Sequence, residues 1–161
     1  MPKSYYRQDF DDASFWMIDT ENFGNEQQLW LQNELTQSTA RWKVVVGHRP
    51  LLTNESTKVK ENWNGKAELK DILCQKANLY VSGHAHILED LGPLDDCQVQ
   101  QLVVGGGGAY TREILDFYPK LFNFAGNGFA ELAINEQGLT ITFLDAQNNQ
   151  LFQRLTPPLT K

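Results

Sequence analysis

The residues best suited to chemistry in this sequence are its three histidines, His48, His84 and His86. His48 lies in the segment VVVGHRPL, and the other two lie in LYVSGHAH. Imidazole is the commonest metal ligand among side chains and is accepted by zinc, iron and manganese. A glycine before the histidine allows a sharp turn, so that the ring can face back across the end of a strand. The pattern therefore predicts a metal site at these three residues.

A single histidine after a strand is more often a hydrogen-bonded structural residue than a ligand, and G-H-x-H alone is a short pattern. The combination of the two motifs favours the metal site, because each follows a predicted buried strand and together they use every histidine of the chain. In open α/β sheets, ligands bind beyond the carboxyl ends of the strands. His84 and His86 are two residues apart, so a bend can turn them towards two neighbouring ions.

The elements that position these residues alternate between strand and helix in the first half of the chain. Apolar runs predict buried strands at residues 15–19, 43–46 and 78–82. Amphipathic patterns predict helices at residues 26–38, with Asn25 as the N-cap, and at residues 65–76. This alternation is typical of an α/β layer with parallel pairing.

Beyond His86 the pattern changes to short strands separated by turn residues, which indicates an antiparallel meander. These strands are predicted at residues 87–91, 99–104, 128–134, 139–144 and 150–155. Four consecutive glycines at residues 105–108 follow one of them. They predict either a sharp turn at the end of the sheet or a close approach to a ligand.

The composition is that of a globular domain, with 41% hydrophobic residues, 21% charged residues and a formal net charge of -6. Because the basic residues are scattered, we expect no nucleic-acid partner. No apolar run approaches the roughly 18 residues needed to span a bilayer, so we expect no membrane partner. Cys74 is predicted to be a buried thiol, with a disulfide to Cys97 as the alternative. Asn54 begins a glycosylation sequon, which matters only in a secreted chain, and the compartment is left open.

Taken in order, these segments resemble the calcineurin-like metallophosphoesterases, most closely the purple acid phosphatase and tartrate-resistant acid phosphatase group. The resemblance covers essentially the whole chain. It is carried by the two Gly-His motifs and by segments at residues 4–6, 15–20, 27–35, 42–51, 78–89, 102–108 and 127–156. It implies an α/β (α+β) fold in a single domain over residues 1–161. This domain would be the C-terminal half of a four-layer α/β/β/α sandwich, a mixed sheet followed by an antiparallel meander.

The resemblance also implies a binuclear metal centre of iron with zinc, iron or manganese. Carried over, His48 and His84 bind the divalent ion, and His86 binds the other, which is ferric in the purple enzymes. Two ions roughly 3.5–4 Å apart hold a phosphoryl group and activate water for attack. Carboxylates or backbone carbonyls are expected to hold the far nitrogens of the rings. No catalytic residue is assigned.

The substrate-facing segments are expected at residues 53–64 and 109–124, the second with Tyr110, Arg112 and Tyr118, because both follow strand ends. The short basic cluster of Lys58 and Lys60 is interpreted as solvated.

Other ligand motifs of the family do not occur in this sequence, namely Gly-Asp, Gly-Asn-His, the Asp-x-His type of motif and the iron-binding tyrosine. Three neutral imidazoles divided between two ions do not complete such a centre, so we expect a preceding segment to supply the rest. The hypothesis is an acid phosphatase-like phosphomonoesterase, acting on a small phosphate ester or a phosphoprotein, of which this chain is an incomplete C-terminal part. One alternative is an inactive truncated domain that acts by binding or oligomerises through exposed strand edges. Another is one Zn²⁺ held by all three histidines.

Overall fold

The structure is a computed structural model that describes residues 4–74, 76–94 and 97–157. Strands predominate in these ranges, and two helices lie in the first half of the chain. The elements are β1 (Tyr6–Phe10), β2 (Ala13–Met17), α1 (Asn25–Gln37), β3 (Trp42–Val46), α2 (Lys66–Leu73), β4 (Leu79–Ser82), β5 (Leu88–Pro93), β6 (Gln100–Val104), β7 (Phe122–Phe124), β8 (Gly128–Asn135), β9 (Gly138–Asp145) and β10 (Gln150–Thr156).

The strands form two sheets. The larger sheet has seven strands in the order β1-β2-β3-β4-β6-β5-β7, and the smaller has three in the order β10-β9-β8. Within the larger sheet β2, β3, β4 and β6 are parallel, whereas β1, β5 and β7 run antiparallel to their neighbours. Val46 is paired with Val81 across β3 and β4. The two Gly-His turns therefore leave adjacent parallel strands at the same edge of the sheet.

The side chains of the central strands alternate between two cores, as the pleat of a strand requires. Val45 and Tyr80 face a core shared with α1 and α2. Their neighbours Val44 and Leu79 face a second core, shared with Ile141 and other residues of the small sheet. The described residues thus form three layers, with helices on one face of the large sheet and the small sheet on the other. This arrangement confirms the predicted mixed sheet and meander.

Three local expectations were wrong. The N-cap of α1 is Gly24 rather than Asn25, and no side chain caps this helix end. The strand β6 is inserted beside β4 and parallel to it, so the antiparallel meander is confined to the small sheet. Cys74 is not a free thiol, because it forms a disulfide with Cys97 at a Cα–Cα distance of 5.0 Å. The disulfide ties the C-terminal end of α2 to the connection between β5 and β6.

An ion pair joins the two sheets. Arg154 of β10 donates from Nε to Asp90 Oδ2 of β5 at 2.5 Å and from Nη2 to Asp90 Oδ1 at 3.1 Å. Asp90 has no exposed surface. Neither described helix has the length and apolar character needed to span a membrane.

Candidate metal site

The structure brings His48 and His84 together at the carboxyl edge of the large sheet. His48 Nε2 lies 3.0 Å from His84 Nδ1. The ring centroids are 4.8 Å apart, and the ring planes meet at 73°. Parallel pairing of β3 and β4 causes this meeting, since the two strands end side by side and each continues into a Gly-His turn. The structure thus brings together the two histidines that are expected to share one ion, and their binding of a metal stays a prediction.

Glycine is needed in the backbone that supports these turns. A Cβ on Gly47 would lie 2.6 Å from the hydroxyl of Tyr80. A Cβ on Gly105 would lie 1.8 Å from the carbonyl oxygen of Ala85, within the turn that carries the other two histidines. Gly105 therefore lets the chain after β6 pass close behind that turn. At Gly105 this close backbone contact requires glycine, whereas an approach of the four glycines to a ligand stays a prediction.

One histidine of the pair takes an uncommon backbone conformation. His84 has a φ of 62°, in the left-handed region that non-glycine residues rarely occupy. Such strain persists only where the surrounding structure fixes it, and it is concentrated at functional sites. On the other turn, Thr20 Oγ1 accepts hydrogen bonds from the backbone N–H groups of His48 and Arg49, at 3.2 and 3.0 Å. Both turns are thus held by contacts outside the histidine rings.

The separation of the two ring nitrogens can be compared with what one bound ion requires. Imidazole nitrogens about 2.0–2.1 Å from a single ion and 3.0 Å from each other subtend an angle of about 90° at the ion. This angle suits two neighbouring positions of a five- or six-coordinate ion better than a tetrahedral one. The donor chemistry of His48 and His84 therefore fits a shared divalent ion.

The far nitrogen of His84 is held by a carboxylate. Glu61, in the connection between β3 and α2, places Oε2 at 2.8 Å from His84 Nε2. Burial lowers the pKa of His84, although the charge of Glu61 opposes this effect. Burial alone would raise the pKa of Glu61, but hydrogen bonds from Lys58 and His84 and their charges outweigh it, so the pKa is lowered. Glu61 was not among the predicted site residues, because an acidic residue in a polar loop has no distinguishing sequence signal.

His86 faces a different group. Its Nδ1 lies 3.0 Å from the carbonyl oxygen of Tyr110. Because a carbonyl oxygen only accepts, Nδ1 carries the proton and the lone pair of Nε2 is left available. Among the described residues, no hydrogen bond or ring contact joins His86 to His48 or His84. In the described ranges the three histidines are not grouped so that they could hold one ion, which disfavours the single-Zn²⁺ alternative.

These residues do not complete a metal centre. In the described ranges, no group of three or more His, Cys, Asp or Glu side chains is arranged to hold an ion. The geometry explains this, since Glu61 contacts the opposite nitrogen of His84 from the one that faces His48. Among the described residues, these side chains thus amount at most to part of the ligands of a metal centre.

The two segments expected to face substrate are bound to each other by a buried cluster. Asn54 donates from Nδ2 to Glu89 Oε1 at 2.6 Å, and its Oδ1 accepts from the backbone N–H of Phe117 and Tyr118 at 2.9 and 2.6 Å. Thr53 donates to Glu89 Oε2 at 3.0 Å. We call these residues the Asn54 cluster. Asn54 has no exposed surface, so the sequon is not accessible in the folded chain.

The outer parts of the same segments are more exposed. The side chain of Tyr110 is 93% exposed, and Arg112 is exposed as well. Lys58 forms an ion pair with Glu61 at 3.2 Å, so it is not simply a solvated charge. Lys60 lies over the ring of Phe117 at 5.8 Å. Whether these groups contact a substrate stays a prediction.

Known proteins that are similar in sequence to this chain include several purple acid phosphatases. The chain is 30% identical to Purple acid phosphatase 4 of Arabidopsis thaliana over 129 residues, which are 75% of this chain and 36% of that protein. It is 31% identical to Purple acid phosphatase 7 of the same plant over 129 residues, 75% of this chain and 37% of that protein. No family model matches the chain. The chain thus spans well under half the length of these curated relatives.

The fold has a counterpart among solved structures. A chain described as the structure of PhoD superposes with a TM-score of 0.67 at 16% sequence identity, over 95% of this chain and 40% of that one. At this identity the likeness concerns the fold alone. Fold, site and relatives together define the class, and the chain belongs to the metallophosphoesterase family. Within this family its sequence relatives are purple acid phosphatases, of which it matches a part.

Proposed function

We propose that this chain is part of a metal-dependent phosphoric ester hydrolase, an acid phosphatase-like phosphomonoesterase that is complete only with further metal ligands. The observation that carries the proposal is the 3.0 Å approach of His48 Nε2 and His84 Nδ1 beyond the ends of two parallel strands. This close approach of two ring nitrogens, on turns where glycine is required, supports their assignment as ligands of a shared ion. Relationship to the purple acid phosphatases supports the choice of phosphate ester as substrate.

In this proposal the residues of the chain have separate tasks. His48 and His84 would hold the divalent ion, and His86 would hold the second ion through Nε2. Bound metal ions supply Lewis-acid activation of the phosphoryl group and of water. Tyr110 would keep the proton of His86 on Nδ1 through its carbonyl oxygen, 3.0 Å away. The remaining ligands, and the general acid for the leaving group, would come from outside residues 1–161.

For the substrate we propose only a chemical class. A small phosphate ester or a phosphoprotein is proposed, and its leaving group would contact the exposed segment with Tyr110 and Arg112, which is hydrogen-bonded to His86. The hydrogen bond from Arg112 N to His86 O, at 3.3 Å, keeps this segment beside the metal-ligand turn.

The test is metal analysis and hydrolysis of p-nitrophenyl phosphate, measured on the 161-residue chain and on the longest polypeptide that its coding sequence specifies. We expect the longer polypeptide to bind two ions and hydrolyse the ester. His84→Ala should lower both metal content and activity, the activity by roughly a hundredfold or more, because an ion at His48 loses a neighbouring ligand. Gln147→Ala, at an exposed turn residue, should change neither.

Three outcomes would contradict parts of the proposal. A longer polypeptide without metal or hydrolysis would remove the enzyme hypothesis, and His84→Ala with unchanged metal content would remove the ligand assignment. A metal pair and hydrolysis in the 161-residue chain alone would instead show that no further ligands are needed.

A second candidate function is a non-enzymatic domain that associates with copies of itself. The edge strand β1 favours this candidate, because all five of its residues are exposed and, among the residues that the structure describes, no strand pairs with its outer side. The same preparation distinguishes the two candidates, since this one predicts no bound metal pair and a mass that rises with protein concentration in light scattering.

A further inference from the structure

Glu61 lies between a histidine ring and two cations. Its Oε2 is 2.8 Å from His84 Nε2, whereas its Oε1 is 3.2 Å from both Arg49 Nη1 and Lys58 Nζ. One carboxylate oxygen therefore contacts the histidine ring, and the other contacts the two cations. The side chain is 24% exposed, so the contacts are partly shielded from water.

Arg49 is itself fixed from its other side. It donates from Nε and Nη2 to the two carboxylate oxygens of Glu21, at 2.7 and 2.9 Å. A bidentate pair of this kind orients the guanidinium plane as well as attracting it. Glu61 is thus held directly by Arg49 and Lys58, and Arg49 is in turn fixed by Glu21 of the connection after β2.

We propose that Glu61 is a positioning residue of the metal site, which keeps the ring proton of His84 on Nε2 and directs the Nδ1 lone pair towards His48. The inference rests on the proposed function for the metal site in which His48 and His84 would be ligands. A carboxylate can only accept a hydrogen bond, so the ring must donate from Nε2. A neutral imidazole has one proton, and Nδ1 is therefore left unprotonated and suited to a metal ion.

The position of Glu61 suits a positioning residue and not a metal ligand. A carboxylate ligand would lie on the side of the ring that faces His48, whereas Glu61 contacts the opposite nitrogen. A negative charge at that nitrogen raises the basicity of the ligand and fixes the orientation of the ring. Loss of such a partner typically weakens metal binding by about 10–100-fold.

The experiment measures the protonation of the histidine rings by ¹⁵N NMR in the metal-free protein, and Zn²⁺ affinity by competition titration. Both are carried out on the longest polypeptide that the coding sequence specifies. The variants are Glu61→Ala and Glu61→Gln, and Glu131→Gln, at an exposed residue of β8, is the control for the lost charge. With three histidines in this part of the chain, single substitutions assign the signals.

We expect His84 to carry its proton on Nε2 in the wild type and to lose this preference in Glu61→Ala, with Zn²⁺ affinity lower by about 10–100-fold. Glu61→Gln keeps an oxygen that can accept from Nε2, so it should retain the tautomer and lose a few-fold in affinity through the missing charge. This variant keeps the test decisive if Glu61→Ala does not fold. Glu131→Gln should match the wild type in both measurements.

The inference is overturned if His84 is protonated on Nδ1 in the wild type, if no Zn²⁺ binds, or if Glu61→Ala leaves tautomer and affinity unchanged. Failure of the proposed function looks different. In that case the tautomer and Zn²⁺ affinity would respond to Glu61 as expected, but the wild-type protein would not hydrolyse phosphate esters.

Discussion

Glu89 of the Asn54 cluster is a carboxyl group with no exposed surface, placed between the donors of Thr53 and Asn54. Burial raises the pKa of Glu89, and the hydrogen bonds from Asn54 and Thr53 only partly offset this effect. The fold therefore favours the protonated form more than the unfolded chain does. This single residue makes the stability of the fold depend on pH.

The sign of that dependence is definite. Below the unfolded pKa, about 4.5 for a glutamate, both states are protonated and the contribution of Glu89 is fully present. It is lost as pH rises through the higher pKa of the folded state. Urea unfolding from pH 4 to pH 8 should thus show the wild type losing stability relative to Glu89→Gln as pH rises. A difference that is flat, or that grows in favour of the wild type, would contradict the assignment, and Glu131→Gln should give a flat difference.

At the same scale, the sequence predicts the histidines of the site but not their partners. His48 and His84 could be placed together because each follows a buried strand and parallel strands end at one edge. Glu61 could not, because its contacts with Arg49 and His84, which are 12 and 23 residues away along the chain, are encoded by no local pattern. The tyrosine beside His86 was expected to face substrate, and the contact that fixes the ring comes from its backbone oxygen.

Among the elements, α2 and the connection between β5 and β6 are joined by the disulfide of Cys74 and Cys97, which closes a span of 23 residues. Cys97 is only 3% exposed and belongs to the core between the helices and the large sheet. A cross-link of this kind stabilises the fold mainly by restricting the unfolded chain.

Removing this disulfide has a calculable effect. For a span of 23 residues, the chain-entropy model gives about 3 kcal/mol at room temperature. We expect the double variant Cys74→Ser/Cys97→Ser to lose about this much free energy of unfolding in denaturant titrations. A reductant should destabilise the wild type by a similar amount and leave the double variant unaffected. Two freely titrating thiols in the untreated wild type would refute the disulfide.

The order of the strands marks the limit of prediction at this scale. Most strands were located within one or two residues, since alternation between two cores leaves a clear apolar pattern in runs such as VVV and LYV. The insertion of β6 between β4 and β5 was missed, because an apolar pattern shows that a strand is buried but not beside which neighbour. The strand β1 was missed for the opposite reason, since all its residues are exposed and it has no buried face.

For the molecule as a whole, the pair of Asp90 and Arg154 connects the two sheets across the second core. Asp90 also accepts a hydrogen bond from the backbone N–H of Gly92 at 2.9 Å. An ion pair with one fully buried member contributes little net stability when intact, but loss of one partner leaves an uncompensated charge.

We therefore expect Arg154→Met to lower the free energy of unfolding by about 3–5 kcal/mol. The double variant Asp90→Asn/Arg154→Met should recover a large part of this loss, because no buried charge is then left unpaired. Chemical unfolding of the wild type, both single variants and the double variant measures the coupling. Additive effects of the two substitutions would show that the pair does not couple the sheets.

The burial of Asn54 separates in time the folding of the chain and a glycosylation of this residue. An enzyme that attaches a glycan to Asn-x-Ser needs the amide nitrogen free, and the folded chain commits that nitrogen to Glu89 Oε1 and to the carbonyl oxygen of Tyr118. Modification and folding are therefore mutually exclusive at this residue. In any compartment that contains such an enzyme, occupancy of the sequon is decided by the time that the chain takes to close the Asn54 cluster, and not by the sequence Asn-Glu-Ser alone.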